Sequence, residues 1–101
     1  MTKVIISPRA DTDIADITTY LAGRGGEPTV AKYFALFDDV YRRLEMWPAS
    51  GPARRRLGAQ ARIAVVPPFV MIYDWDQTTD TVRIVRVVRG GRKITRKLVR
   101  G

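Results

Sequence analysis

The residues best suited to chemistry in this chain are arginines. Arg54, Arg55 and Arg56 stand in one run, followed by Arg62, Arg83, Arg86, Arg89 and Arg92. A planar guanidinium fork matches the oxygens of a phosphate, so such a series suits holding a polyanion or stabilising a phosphoryl transition state. Arginine does not surrender its proton near neutral pH, which disqualifies it as a general base. The chain has no His and no Cys. That removes the commonest acid/base group, any thiolate nucleophile and any disulfide framework, and it leaves no ordinary zinc site. No metal or other cofactor is expected. Asp74 and Asp76 could pair as carboxylates, but acids beside a polar loop read as turn formers. Tyr73 and Trp75 alternate with Asp74 and could stack a base beside the arginines. The preferred reading is a core tyrosine and a partly exposed tryptophan.

Charge is segregated along the sequence. The 101 residues hold 18 Lys plus Arg against 10 Asp plus Glu, a net of +8. Residues 1–50 carry six basic and seven acidic side chains, and residues 51–101 carry twelve and three. A field confined to one half attracts nucleic acid, an acidic protein or an anionic surface, whereas charge serving solubility alone would be dispersed. The length allows a single domain, residues 1–101, burying roughly 60–70% of its unfolded surface. No leader or membrane segment is apparent. Val4 to Ile6 is too short for a signal core, and the longest apolar run, Ile63 to Ile72, is broken by Pro67-Pro68. A cytoplasmic protein with no membrane partner is expected.

Periodicity supplies the frame. Lys3 to Ile6 reads as a short strand, with Ser7 as a helix cap and Pro8 at the first helical position. Ala10, Ile14, Ile17 and Leu21 share one helical face, and Gly23 with Gly25-Gly26 closes it. Pro28 opens a second helix with Val30, Phe34, Phe37, Tyr41 and Leu44 in one stripe, widened by Tyr33, Val40 and Trp47 and ended at Pro48. The short Gly-rich link implies an antiparallel αα-hairpin. After the turn-rich segment Ala49 to Arg56 the pattern becomes extended. Strands are expected at Ala61 to Val66, Phe69 to Trp75 and Thr81 to Arg89, forming an antiparallel meander. The fold class is therefore α+β, in the order β-α-α-β-β-β, with the hairpin packed on a small antiparallel sheet. Residues 90–101 form a basic tail that Ile94, Leu98 and Val99 could dock on the core.

These residues together resemble a family. Ile5-Ile6-Ser7-Pro8-Arg9-Ala10-Asp11-Thr12-Asp13-Ile14 resembles the "strand, Ser-Pro, Ala, x, x, Asp-Ile/Leu" opening of RelE/ParE-type toxins. Leu44 to Gly51 is similar to their "leucine, x, x, x, Pro, x, x, Gly", and Ile72-Tyr73 to the Ile-Tyr of their central strand. Val85 to Arg92 is similar to their closing "Ile, x, Val, Leu, His-Gly-Arg-Arg". The likeness is greatest to the ParE (plasmid stabilisation) branch. It implies a RelE-like fold and the toxin of a bacterial type II toxin–antitoxin pair, held inactive by a cognate antitoxin protein. RelE-like members cleave mRNA in the ribosomal A site, and ParE-like members poison DNA gyrase.

Departures from the cleaving pattern favour the second mode. Arg54-Arg55-Arg56 stand where lysines would help, Arg89 replaces the His, Gly91 replaces an Arg, and no Tyr or His follows Tyr73. The resemblance therefore implies a gyrase-directed toxin acting by binding, more a binder than an enzyme. The alternative is a ribosome-dependent mRNA endonuclease using Arg56, Arg62, Arg86 and Arg92. A small basic nucleic-acid module without toxic action is the third reading. Residues expected to meet the target or the antitoxin are Arg54, Arg55, Arg56, Arg86, Arg89, Arg92, Lys93, Arg96 and Lys97. A basic groove beside a helical hairpin can receive an acidic antitoxin segment that folds on binding.

Overall fold

The computed structural model describes residues 1–101. Its elements are β1 (Lys3–Ile6), α1 (Pro8–Met46), a 3-10 turn (Arg55–Leu57), β2 (Ala61–Val66), β3 (Phe69–Asp76), β4 (Thr81–Arg89) and α2 (Arg96–Arg100). The sheet order is β1-β4-β3-β2. Strands β2, β3 and β4 form the expected antiparallel meander, while β1 adds to β4 in parallel, making the sheet mixed. A parallel neighbour requires a long crossover, and the whole of α1, β2 and β3 supplies it.

Helix α1 starts as the sequence indicates. The Ser7 hydroxyl accepts from the Ala10 N–H at 3.0 Å and donates to the Val85 carbonyl at 2.9 Å, so one side chain caps the helix and ties it to β4. Helical backbone runs through Gly23 and Gly25 and breaks only at Gly26 (φ +70°, ψ −160°), a left-handed conformation that favours glycine. A straight helix of this length would span about 58 Å. The longest dimension of the molecule is 41 Å, so the chain turns back at Gly26 into two arms. The second arm lies along β1, with the Tyr41 hydroxyl donating to the Val4 carbonyl and the Thr2 N–H to the Glu45 carbonyl.

The sheet is covered on both faces. Ala10, Leu21, Val40 and Leu44 of α1 meet Val4, Phe69, Met71, Tyr73, Val82, Ile84 and Val87 on one side. On the other, Leu57, Val70, Ile72, Val88 and Val99 form a second cluster, with Ile94 and Leu98 packed against it. The basic tail is thus docked through the three residues expected, and α2 roofs the face that the hairpin leaves open. Trp47 departs from expectation. The helix ends at Met46, the chain at Trp47 turns to φ −136°, and the indole is 66% exposed instead of widening the core stripe.

Tyr73 is the hinge pin of the larger core. It is fully buried, its hydroxyl donates to the Pro48 carbonyl at 2.8 Å, and it accepts from the Gly51 N–H at 3.0 Å. A Cβ at Gly51 would collide with the Ile63 carbonyl and crowd that hydroxyl. The Pro-x-x-Gly segment and the Ile-Tyr of the central strand are therefore two halves of one clamp. Burial raises the Tyr73 phenol above its ordinary 10.0, outweighing the opposing hydrogen bond from Gly51. The folded state then keeps this proton longer than the unfolded chain, so stability falls as pH rises above about 10. Tyr73→Phe is expected to cost about 1–3 kcal/mol at neutral pH through the two stranded backbone groups, and to lessen the alkaline loss. Urea denaturation at pH 7 and at pH 10.5 checks both.

Candidate functional site

Opposite β3, strand β4 carries a bulge: Ile72 faces Arg86, Tyr73 faces Ile84, and Val85 is the extra residue. Beyond Ile84 the strand has also lost β1 as a neighbour, because β1 ends at Ile6. Asp13, from the first arm of α1, fills the gap. Its carboxylate accepts from the Val87 N–H at 2.9 Å and from both Nε (2.7 Å) and Nη2 (3.1 Å) of Arg86. The Arg86 Nη1 donates to the Leu98 carbonyl at 2.6 Å. Arg86 is only 7% exposed. This corrects its place among the expected surface contacts, since its guanidinium is committed inside the fold.

The remaining arginines separate into three places. Arg54, Arg55 and Arg56 flank or form the 3-10 turn, and the Arg56 Nη1 donates to the Ile94 carbonyl at 3.0 Å, joining this run to the tail. Arg92, Lys93, Arg96 and Lys97 are exposed on that tail, so these two expected clusters meet on one side of the molecule. Arg62 sits elsewhere, its Nη1 donating to the carbonyls of Ala49 and Gly51 and its guanidinium 5.8 Å from the centre of the Trp75 ring. Arg89 faces the helical side and donates to the Tyr20 hydroxyl at 2.9 Å. That bond, with the charges of Arg24 and Arg89, draws the Tyr20 phenol below its ordinary 10.0. Of the four arginines expected of a nuclease, Arg56, Arg62 and Arg86 are each held by different groups of the protein, and Arg92 is exposed on the tail.

Sequence reasoning missed Arg100. It forms a bidentate pair with Asp74 (2.6 and 2.7 Å) and donates to the Leu57 carbonyl at 2.9 Å, fastening α2 over the second core. The Asp74 hydrogen bond and charge raise the Arg100 guanidinium's already high pKa, against the opposing effect of burial. Asp74 is thus an ion-pair residue and not a turn former. Asp76 does form the turn, accepting from the Thr78 N–H at 2.9 Å. The one available signal for Arg100 was an acid between two aromatic residues, within a strand that is apolar up to that point. Only three of the eighteen basic side chains, Arg42, Arg86 and Arg100, form ion pairs, so the cationic field is largely uncompensated.

The family described as "ParE toxin of type II toxin-antitoxin system, parDE" matches residues 4–94. The chain belongs to the ParE toxin family. A chain of the chromosomal ParDE toxin–antitoxin system from P. aeruginosa shares the fold with TM-score 0.72 at 16% identity, over 88% of this chain and 96% of that one. A chain of the toxin–antitoxin complex RelBE2 from Mycobacterium tuberculosis matches with TM-score 0.60 at 21% identity, over 87% and 96%. No curated protein matches the sequence at a significant level. The family segment of this ParE-type toxin takes in the Ser7 cap, the Tyr73 clamp and the Asp13–Arg86 pair, and it stops before α2. No helix is long and apolar enough to cross a membrane.

Two ion pairs of this ParE-family chain offer a contrast. Asp13→Ala would leave Arg86 buried without its partner and the Val87 N–H without an acceptor, at an expected cost of about 3–5 kcal/mol. Asp38→Ala breaks the exposed Asp38–Arg42 pair (3.0 Å) on α1 and should cost under about 0.5 kcal/mol. Guanidinium denaturation of the two variants measures the difference, and equal effects would refute the structural role given to Asp13.

Proposed function

We propose that this ParE-family chain is the toxin of a type II pair, that a cognate antitoxin neutralises it, and that the free toxin inhibits DNA gyrase by binding. The observation that carries the reading is the separate engagement of the cleavage candidates. Arg86 is buried against Asp13, Arg56 is bonded to the Ile94 carbonyl of the tail, and Arg62 stands beside Trp75, bonded to loop carbonyls through Nη1 alone. Tyr73, the one tyrosine of the basic half, is sealed in the core. Attack of a 2′-hydroxyl on the neighbouring phosphate needs a base for its proton and an acid for the leaving 5′-oxygen, as well as a cation on the phosphate. What the surface offers instead is charge without that constellation, which suits recognition.

The antitoxin fits the same surface chemistry. Arg55, Arg92, Lys93, Arg96 and Lys97 would pair with carboxylates. An open apolar cavity of about 540 Å3, lined by Ile6, Ile14, Phe34, Phe37, Met71 and Ile84 among others, would take the apolar anchors of a segment that folds on binding. Charge speeds encounter with either acidic partner, and apolar contacts set how long each stays. Under this reading the protein works in the cytoplasm, where its target and its antitoxin are.

Purified toxin is expected to inhibit supercoiling by gyrase or to accumulate its DNA cleavage complex, while leaving ribosome-bound mRNA intact. Adding the cognate antitoxin should abolish the effect. The triple variant Lys93→Glu, Arg96→Glu, Lys97→Glu should weaken antitoxin binding by on the order of ten-fold or more at low salt. Codon-dependent cuts in ribosome-bound mRNA, with gyrase untouched, would overturn the gyrase reading in favour of the endonuclease.

A further inference from the structure

Both tryptophans of the chain, Trp47 and Trp75, line one surface cavity of about 450 Å3 with Met46, Pro48, Ala49 and Ser50. Trp47 and Met46 are 66% and 59% exposed, an unusual cost for the largest and one of the most flexible apolar side chains of a small domain. Trp75 also borders a second, polar cleft of about 230 Å3 that contains Arg55, Arg62, Gln60, Asp76 and Gln77. The two hollows therefore share one indole. Arg62 lies over that indole at 5.8 Å, and its hydrogen bond to the Ala49 carbonyl reaches the floor of the apolar cavity. Only Nη1 of its fork is engaged within the protein, which leaves Nε and Nη2 for a ligand. The Trp75 indole N–H points to the Asp80 carboxylate at 3.4 Å, and Asp80 is itself fixed by the Thr2 hydroxyl at 2.8 Å, so the ring is oriented from its far edge.

Flat aromatic surface in one hollow, with cations and side-chain amides in the next, is the combination that single-stranded nucleic acid requires. Bases stack on indoles, phosphates meet guanidinium groups, and amides reach base edges. A duplex could not use the site, because its bases are already stacked on one another. An apolar protein segment would use the first cavity and leave the arginines and glutamines of the second idle. Charge complementarity therefore favours the nucleic acid. We propose that Trp47, Trp75, Arg55 and Arg62 form a stacking site for a short single-stranded stretch of DNA or RNA, with a base against the indoles and a neighbouring phosphate on Arg55 and Arg62. The site shares Arg55 with the cationic surface assigned to the antitoxin, its tryptophans and Arg62 lie outside that surface, and it does not depend on whether gyrase is the target.

Because the chain has no other tryptophan, fluorescence excited selectively at tryptophan, beyond the tyrosine absorption, reports on this site alone. Titration of the full chain with a single-stranded oligothymidylate and the corresponding oligouridylate should quench that emission saturably, with affinity falling as salt rises. A duplex of equal length should quench weakly. Trp47→Ala, at an exposed position outside the core, is expected to lower affinity by on the order of ten-fold, read by fluorescence anisotropy of a labelled strand. Arg55→Ala should flatten the salt dependence by a little under one unit of slope. Absence of quenching, equal binding of duplex and single strand, or unchanged affinity in Trp47→Ala would each overturn the proposal. So would quenching by an apolar peptide together with none by either oligonucleotide. Gyrase inhibition that survives Trp47→Ala would leave the proposed function standing while the oligonucleotide data decide this site.

Discussion

The rest of the structure depends on how one half-paired strand edge is closed. Strand β4 has β1 beside it as far as Ile84, and past that point its outer edge has no strand to bond. A bare edge in a small domain exposes backbone donors and invites pairing with other chains. Asp13 resolves this from a helix, accepting one ladder N–H and fixing the guanidinium that the bulge brings beside it. The same guanidinium reaches the Leu98 carbonyl, so a single carboxylate aligns α1, β4 and the tail. Such a nearly buried pair adds little net stability over apolar packing, but either half alone is very costly. Its effect is to allow only one arrangement of the three elements.

That arrangement matters because the central sheet needs cover on both faces. A domain of about 100 residues has little surplus core, and the helical hairpin can shield only one side. The other side is closed by a five-residue helix too short to be stable by itself. Helix α2 exists because Val99 and Leu98 sit on Val70, Ile72 and Val88 while Arg100 and Arg86 fasten it at its two sides. The positively charged tail is in this way part of the fold as well as part of the binding surface. Its free cations, Arg92, Lys93, Arg96 and Lys97, are carried on a scaffold held by other residues.

Much of this was legible in the sequence, for definable reasons. The three meander strands were readable because β-branched runs are separated by loops too short for anything but antiparallel neighbours. The Ser7-Pro8 start and the reversal near Gly26 were readable because caps and left-handed turns depend on local residue chemistry. The direction of β1 was not, since its partner lies across almost the whole chain and a four-residue strand carries no mark of direction. Trp47 was misplaced because helical phase was continued one residue too far. Among the arginines, type alone could not separate Arg86 and Arg100 from the free ones. What separates them is an acid brought close by tertiary structure: Asp13 from 73 residues away and Asp74 from 26. The irregular alternation of Val85-Arg86-Val87-Val88 is the trace that the bulge leaves in the sequence.

The division of the arginines also bears on how binding and folding are kept from interfering. Residues that contact a changing partner must tolerate substitution, and residues that hold the frame must not. Here the two classes have the same chemistry but different neighbours. Arg86 and Arg100 each meet a carboxylate and a main-chain carbonyl, so the protein itself neutralises their charge. The cations of the tail and of the Arg55 region meet no carboxylate, so their field extends into solvent to about a Debye length, roughly 8 Å at physiological salt. Under the proposed function this field acts on two acidic partners at once. Charge alone would draw each of them to the tail with little discrimination. Discrimination must then come from apolar contacts away from the tail, in the cavity between the hairpin and the sheet or at the exposed tryptophans, where shape and stacking decide what stays bound.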